Sequence, residues 1–142
     1  MVIFFVTNRC NSRCKICFVE INSPNRNELT LDEIEKISLN MPKFPQLLIS
    51  GGEPTLRDDI PEIIQFFVKN NHVRYLTIPT NATLPEKTRN ISERILKENP
   101  ELKHFNIAIA VDGVWNDHDE IRGFKDNFSL LKKTMDLLFP LR

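Results

Sequence analysis

The chain lacks several features that would indicate other kinds of function. Its 142 residues include 19 Lys and Arg and 19 Asp and Glu, so the net charge is zero and no basic stripe indicates nucleic-acid binding. The apolar run at residues 2–6 is far too short for the core of a signal peptide or for a membrane span. We therefore expect one domain in a reducing, cytoplasmic setting, with neither nucleic acid nor membrane as a partner.

Cysteine and glycine are scarce too, and both are concentrated. All three cysteines, Cys10, Cys14 and Cys17, fall in one short segment after the apolar run, and two of the four glycines are adjacent at Gly51 and Gly52. An odd cysteine count does not suit a disulfide framework. Adjacent glycines in a chain so poor in them indicate a backbone requirement at that point.

The three cysteines suit a metal centre. Thiolates this close in sequence are typical ligands of an iron–sulfur cluster or of zinc. Because there are three of them rather than four, one metal position is left open for a substrate or a cofactor. Burial as small apolar side chains is the alternative, but it gives no reason for the polar neighbours Asn11, Arg13 and Lys15.

Short apolar runs alternate with amphipathic stretches along the chain, which predicts βα units and a parallel sheet. The predicted strands are 2–7, 46–50, 73–78 and 105–111. The predicted helices begin near Thr30, with Glu33 at capping-box spacing, and near 58 or 59, then cover 86–98 and 127–138. With right-handed crossovers, these units predict an α/β fold that curves as a partial TIM-like barrel.

One unusual motif follows each predicted strand. In chain order the motifs are Cys10 to Cys17, Ser50-Gly51-Gly52-Glu53-Pro54, Thr80-Asn81-Ala82 and Asp112-Gly113. The carboxyl ends of parallel strands share one edge of a sheet, where such folds build their sites. Each later motif alone has a plainer interpretation: a turn at Pro54 or Gly113, a helix entry at Asn81, a surface polar cluster at His118, Asp119 and Arg122. Their convergence on one edge favours a shared ligand site.

Taken together, these motifs resemble the radical S-adenosylmethionine enzyme superfamily. The resemblance rests on Cys10-x3-Cys14-x2-Cys17, Gly51-Gly52-Glu53-Pro54, Thr80-Asn81-Ala82, and Val111-Asp112-Gly113 with His118-Asp119-x-x-Arg122-Gly123. The last stretch is most similar to the branch that modifies peptides and cofactors, which includes anaerobic sulfatase maturases.

The resemblance implies that Cys10, Cys14 and Cys17 hold a [4Fe–4S] cluster whose fourth iron is chelated by S-adenosylmethionine. An electron from a donor such as flavodoxin or ferredoxin would cleave the cofactor's sulfonium C–S bond. The resulting 5′-deoxyadenosyl radical would abstract hydrogen from the substrate, either a peptide or a cofactor precursor. The chain is therefore expected to be an enzyme of this type, or its cluster-binding portion.

The resemblance also implies which other residues contact the cofactor. Glu53 matches the residue that receives the methionine amino group, and Arg122 matches the one that meets its carboxylate. An ammonium needs an anionic partner and a carboxylate a cationic one, which agrees with these roles. The further contacts expected from the resemblance are Gly51, Gly52, Thr80, Asn81 and Asp112.

The chain departs from the family's pattern in two ways. Ala110 replaces a serine that contacts the ribose, and Ala82 stands where glycine is frequent. The chain also has about four βα units of the six expected. We therefore expect residues 1–142 to form a core domain without the last units, which the rest of the chain or a partner would supply. The alternatives are a non-catalytic cofactor-binding module of the same ancestry and a structural zinc protein.

Overall fold

The computed structural model describes residues 1–19 and 28–141. Strands and helices alternate in these ranges, in the order β1 Val2–Thr7, α1 Leu31–Asn40, β2 Gln46–Gly51, α2 Ile60–Asn71, β3 Tyr75–Thr80, α3 Pro85–Glu98, β4 His104–Ile109, α4 Asn116–Arg122 and α5 Asn127–Leu138. The four strands form one parallel sheet in the order β1-β2-β3-β4. This confirms the predicted α/β fold of parallel βα units, in the arrangement of a partial TIM-like barrel.

The hydrophobic core lies between one face of the sheet and the helices. Because side chains alternate across a strand, every second strand residue points into this core, and the helices supply the rest: Val6, Leu47, Ile49, Leu76, Ile78, Ile34, Ile63, Ile64, Phe67, Ile91 and Ile95. The other face of the sheet is open, and on β1 it leaves Ile3 51% and Phe5 55% exposed. An open inner face is what an arc of a barrel presents.

The helices with local sequence signals begin where predicted. At the start of α1 the Glu33 amide donates to the Thr30 hydroxyl at 3.3 Å, and the Thr30 amide donates to the Glu33 carboxylate at 2.8 Å. Asp59 is the residue before α2, and α5 covers the predicted span. Among the described residues, no helix is both long enough and apolar enough to cross a membrane.

Two strands are shifted from their predicted positions. The chain leaves α2 through His72, whose φ is 60°, and the Val73 amide then donates to Phe67 of α2 at 3.3 Å. Val73 is buried and apolar, which is typical of a strand residue, but it lies in the turn that ends α2, and β3 begins at Tyr75. β3 continues through Pro79, where the pairing with β2 has already ended. β4 likewise ends at Ile109, two residues before its predicted end at residue 111.

The short helix α4 was not predicted from the sequence. It has only seven residues, opens without a side-chain cap and ends at Gly123, whose φ of 58° is left-handed. So short a segment carries little amphipathic pattern, and what holds it is contact with other parts of the chain. Its insertion means that β4 is followed by two helices rather than one.

An apolar groove runs beside β4. Leu96 of α3 and Met135 of α5 are apolar, yet they are 42% and 52% exposed. With the core-side residues of β4 and with Phe139, they line a groove of about 610 Å³. The cause is the order of the sheet: within the described residues, β4 pairs only with β3, so no further strand covers these side chains.

A buried arginine fastens the loop after β2 to the rest of the fold. Arg57 is only 6% exposed and donates to the carbonyl oxygens of Val6 at 2.9 Å and Leu29 at 3.1 Å. Its other two nitrogens form a bidentate pair with the Asp59 carboxylate, at 2.7 and 2.6 Å. A buried guanidinium needs such an anionic partner, and the same pairing lowers the pKa of Asp59.

Asp59→Asn is expected to lower the free energy of unfolding at pH 7 by about 1–2 kcal/mol, because it removes the anionic partner of Arg57. The pKa of Asp59 lies below its ordinary value of 3.8. Ionised Asp59 therefore stabilises the fold above pH 3.8, and the contribution is lost as the pH falls through the lowered pKa. In urea unfolding at several pH values, the free energies of unfolding of wild type and variant should converge only below pH 3.8.

Asp58→Asn is the matched control, since it makes the same charge change one residue earlier. The Asp58 carboxylate is 94% exposed and pairs with Lys87 on the surface. We expect a much smaller loss of stability from this variant. Equal losses in the two variants would contradict the role assigned to Asp59.

Candidate active site

The three cysteines lie on the loop that leaves β1 at the carboxyl edge of the sheet. We call residues 8–19 the cysteine loop. Cys10 and Cys14 are half-buried, Cys17 is exposed, and none forms a disulfide. The Cys17 amide donates to the Cys14 carbonyl at 3.2 Å, so a tight turn joins the last two cysteines. The four predicted motifs all meet at this edge of the sheet, as expected.

The glycine pair allows β2 to approach the start of the cysteine loop. The Gly52 amide donates to the Thr7 carbonyl at 2.8 Å, and a Cβ on Gly52 would lie 2.1 Å from the Arg9 carbonyl oxygen. The next amide, of Glu53, donates to that same oxygen at 2.8 Å. Glycine is thus required at Gly51 and Gly52, as predicted, and the reason is that the backbone of residues 7–9 lies against them.

Glu53 is a buried carboxylate between the ends of β2 and β3. It is 2% exposed. Its Oε1 accepts from the Thr55 amide and hydroxyl and from the Thr80 hydroxyl, at 3.1, 2.6 and 2.9 Å, and its Oε2 accepts from the Asn81 amide at 2.7 Å. In the part of the chain that the structure describes, no cationic side chain pairs with it. Oε2 accepts only one of these four bonds.

Asn81 ties the end of β3 to the cysteine loop. Its Nδ2 donates to Asn11 Oδ1 at 2.8 Å and to Ser12 Oγ at 3.0 Å, and it lies 3.9 Å from Cys10 Sγ. Thr83 completes the network, because it donates to Asn81 Oδ1 at 2.7 Å and accepts from Asn11 Nδ2 at 2.8 Å. Asn11, Ser12 and Thr83 were not selected from the sequence, and only their polarity and closeness to the motifs could have indicated them.

Ala82 has a left-handed backbone, with φ of 60°, and is fully buried. Glycine takes this conformation without steric cost, whereas alanine pays on the order of 1–2 kcal/mol. The departure noted at this position is therefore tolerated at some cost in strain. Ala110, the other departure, lies one residue beyond β4 and offers no hydroxyl to a ligand.

Arg122 lies between Asp112 and Cys14. Its Nε forms an ion pair with Asp112 Oδ2 at 2.7 Å, and its Nη1 donates to Cys14 Sγ at 3.6 Å. The Arg122 side chain is only 13% exposed. The predicted site residues thus fall into two groups: one around Glu53 and Asn81, next to Cys10, and one around Asp112 and Arg122, next to Cys14.

Backbone hydrogen bonds join α4 to the cysteine loop. The amides of Arg13 and Lys15 donate to the carbonyls of Arg122 and Ile121, at 3.0 and 2.9 Å. Gly123 permits this contact, because a Cβ there would lie 2.4 Å from the Arg13 carbonyl oxygen. The two residues that flank Cys14 are therefore held by the end of α4.

His118 is fully buried, which corrects the interpretation of His118, Asp119 and Arg122 as a surface polar cluster. Its Nδ1 accepts from the Asp112 amide at 3.2 Å, so Nε2 carries the proton and donates to Asn127 Oδ1 at 2.7 Å. His118 therefore joins α4 to the end of β4 and to α5. Asn127 is nine positions away in sequence, and no local pattern connects the two residues.

The chemistry of the cysteine loop fits an iron–sulfur cluster. Thiolates are the ligands of such clusters, and hydrogen bonds to their sulfurs are typical of these sites. Here Cys10 Sγ accepts from the Ser12 amide at 3.4 Å, and Cys14 Sγ accepts from Arg122. Burial raises the pKa of the Cys10 thiol, and the hydrogen bond from the Ser12 amide offsets part of this rise.

Within residues 1–19 and 28–141, no three His, Cys, Asp or Glu side chains converge as ligands of a single metal ion.

A sequence model of the radical SAM superfamily matches residues 4–141 of the chain. The chain belongs to the radical SAM superfamily. Members of this superfamily use a [4Fe–4S] cluster and S-adenosylmethionine, in agreement with the thiol chemistry of the cysteine loop.

Several proteins with named activities are similar to this radical SAM chain. Fe-coproporphyrin III synthase of Methanosarcina barkeri is 30% identical over 131 residues, which are 90% of the chain and 31% of that protein. A 7,8-dihydro-6-hydroxymethylpterin dimethyltransferase of Methanocaldococcus jannaschii is 32% identical over 77% of the chain and 21% of its own length. A probable GTP 3′,8-cyclase of Methanococcus maripaludis is 39% identical over 85 residues, which are 58% of the chain and 28% of that protein. The chain thus spans less than a third of each relative.

Gly52→Ala is expected to lower the free energy of unfolding by about 2–3 kcal/mol, because the new Cβ would force Arg9 and the cysteine loop away from β2. Gly113→Ala is the matched control, since the nearest atom to its Cβ is the His118 amide nitrogen at 3.1 Å. Urea unfolding of the metal-free protein measures both. A loss from Gly52→Ala no larger than that from Gly113→Ala would show that the close approach does not hold the loop.

Proposed function

We propose that the chain is the core domain of a radical SAM enzyme, spanning residues 1–142, and that Cys10, Cys14 and Cys17 hold its [4Fe–4S] cluster. One observation carries the proposal: the three thiols lie on one loop whose start contacts the buried Glu53, and two of the thiols accept N–H hydrogen bonds. When bound, the cluster supplies the electron that cleaves S-adenosylmethionine, and the radical formed abstracts hydrogen from a substrate.

Glu53 is proposed as the partner of the amino group of S-adenosylmethionine. A buried carboxylate is normally paired with a cation, yet Glu53 has only neutral donors among the described residues. Three of its four hydrogen bonds fall on Oε1 and one on Oε2, so Oε2 is the oxygen with room for a further donor. An ammonium group at Oε2 would supply the missing positive charge.

Arg122 is proposed as the partner of the cofactor's carboxylate. Its Nε forms an ion pair with Asp112 and its Nη1 donates to Cys14, which leaves the N–H groups of Nη2 to donate to a carboxylate. The other five predicted contact residues act within the protein. Glu53 and Arg122 are bound by Thr80, Asn81 and Asp112, and the backbone passes close to Thr7 and Arg9 at Gly51 and Gly52. We propose that they position the site rather than recognise the cofactor by their own side chains.

We propose a cofactor precursor as the substrate. The names of the three relatives above refer to a coproporphyrin, a pterin and GTP, each of which contains a nitrogen heterocycle. The reduction requires a low-potential one-electron donor, such as flavodoxin or ferredoxin. Free thiols on an exposed loop favour a reducing, cytoplasmic setting.

Anaerobic reconstitution with iron and sulfide tests the cluster assignment. We expect a [4Fe–4S] cluster whose electron paramagnetic resonance spectrum shifts when S-adenosylmethionine is added, and 5′-deoxyadenosine under strong reductant. Cys14→Ala should abolish the cluster. Zinc without iron in anaerobically purified protein would contradict the proposal, and a cluster that binds the cofactor without forming 5′-deoxyadenosine would favour a non-catalytic module.

Glu53→Gln is expected to leave the cluster formed but to weaken binding of S-adenosylmethionine at least about tenfold, as loss of a charge-assisted hydrogen bond predicts. Thr55→Val is the control, because it removes a hydrogen bond to Glu53 but keeps the carboxylate. Equilibrium dialysis of the reconstituted proteins measures the affinities. Equal affinity in Glu53→Gln and wild type would refute the role of the carboxylate.

A further inference from the structure

We propose that Arg122 hydrogen-bonds the sulfur of the cluster ligand Cys14 and thereby raises the reduction potential of the cluster, and that Asp112 positions Arg122 for this contact. The inference rests on the proposed function, since it requires that Cys14 hold the cluster. It assigns Arg122 a redox role in addition to its contact with the cofactor's carboxylate, and it gives Asp112 a role that does not require contact with the cofactor.

The Arg122 guanidinium is held from two sides. Asp112 Oδ2 lies 2.7 Å from Nε, and Cys14 Sγ lies 3.6 Å from Nη1. Because the guanidinium is planar and rigid, a carboxylate fixed at Nε also fixes the direction of Nη1. With only 13% of the Arg122 side chain exposed, water competes little for these donors.

The backbone keeps both ends of this contact in place. The amides of Arg13 and Lys15, on either side of Cys14, donate to the carbonyls of Arg122 and Ile121 at 3.0 and 2.9 Å. Asp112 is held in turn, because its amide donates to the buried ring of His118 at 3.2 Å. The contact between Arg122 and Cys14 is thus built into the fold.

The thiols differ in the charge of their hydrogen-bond donors. Cys10 accepts from the neutral Ser12 amide at 3.4 Å, and the amide nitrogen of Asn81 is 3.9 Å away. Cys14 accepts from a cation. Reduction adds one electron to the cluster and therefore one negative charge, with no bond formed or broken. A cationic donor at a ligand sulfur stabilises the reduced form more than the oxidised form, which raises the potential.

A redox titration of the reconstituted chain in the absence of S-adenosylmethionine tests the inference, with the reduced cluster detected by electron paramagnetic resonance. Leaving the cofactor out separates this role of Arg122 from binding of the carboxylate. In Arg122→Gln we expect the ratio of reduced to oxidised cluster at a fixed ambient potential to fall about tenfold, which is about 59 mV for a one-electron couple. An unchanged potential in Arg122→Gln would overturn the inference.

Asp112→Asn tests the positioning role by the sign of its effect. Removal of a negative charge near the cluster should by itself raise the potential. If Asp112 acts through Arg122, the loss of the ion pair releases the guanidinium from Cys14 and the potential falls instead. A raised potential in Asp112→Asn would overturn the positioning role. If Arg122→Gln does not assemble a cluster, Asp112→Asn tests the inference in its place, because this variant keeps the arginine. A lower potential in Asp112→Asn then supports the inference, and a raised or unchanged potential contradicts it.

Lys15→Gln is the matched control. It removes one positive charge next to Cys14, but the Lys15 ammonium pairs with Glu120 and its side chain is 59% exposed. We expect the reduction potential of the cluster in Lys15→Gln to equal that of wild type. A fall as large as that in Arg122→Gln would show that net charge, rather than the contact with the sulfur, sets the potential. A wild-type chain that forms no [4Fe–4S] cluster would overturn the proposed function itself, whereas a cluster with equal potentials in all variants overturns only this inference.

Discussion

The buried carboxylate of Glu53 is the interaction on which the arrangement of the site depends. It accepts hydrogen bonds from the turn after β2 and from the end of β3, and Asn81 extends the connection to Asn11 and Ser12 of the cysteine loop. Three loops of the site therefore share one anionic centre. Because that centre is also the proposed partner of an ammonium group, binding of the cofactor there would be coupled to ordering of the loops.

A second junction holds the opposite side of the cysteine loop. There the end of α4 contacts the backbone on either side of Cys14, and His118 connects α4 to the end of β4 and to α5. Loss of either junction would leave the loop attached to the rest of the chain at one side only. A cluster bound at three points on this loop would then lose its fixed geometry before the sheet itself unfolds.

The sequence predicted the features that depend on local patterns. The capping box at Thr30 and Glu33 and the start of α2 next to Asp59 depend on residues that are close in sequence, and both were placed correctly. The end of α2 misled the prediction because buried Val73 resembles a strand residue until the left-handed His72 is seen. α4 and buried His118 were missed because their partners, Asn127 and the cysteine loop, are distant in sequence. The motifs indicated which residues meet, but not that Arg122 lies against a thiol.

The apolar groove beside β4 has a consequence for the behaviour of the isolated chain. In the residues that the structure describes, β4 has one unpaired edge next to exposed Leu96, Met135 and Phe139, and such an edge is a template on which a second molecule can add a strand. Such association would remove protein from solution without any change at the cysteines. Loss of cluster to oxygen and loss of protein through edge pairing are thus separate routes to an inactive preparation, and only the second depends on protein concentration.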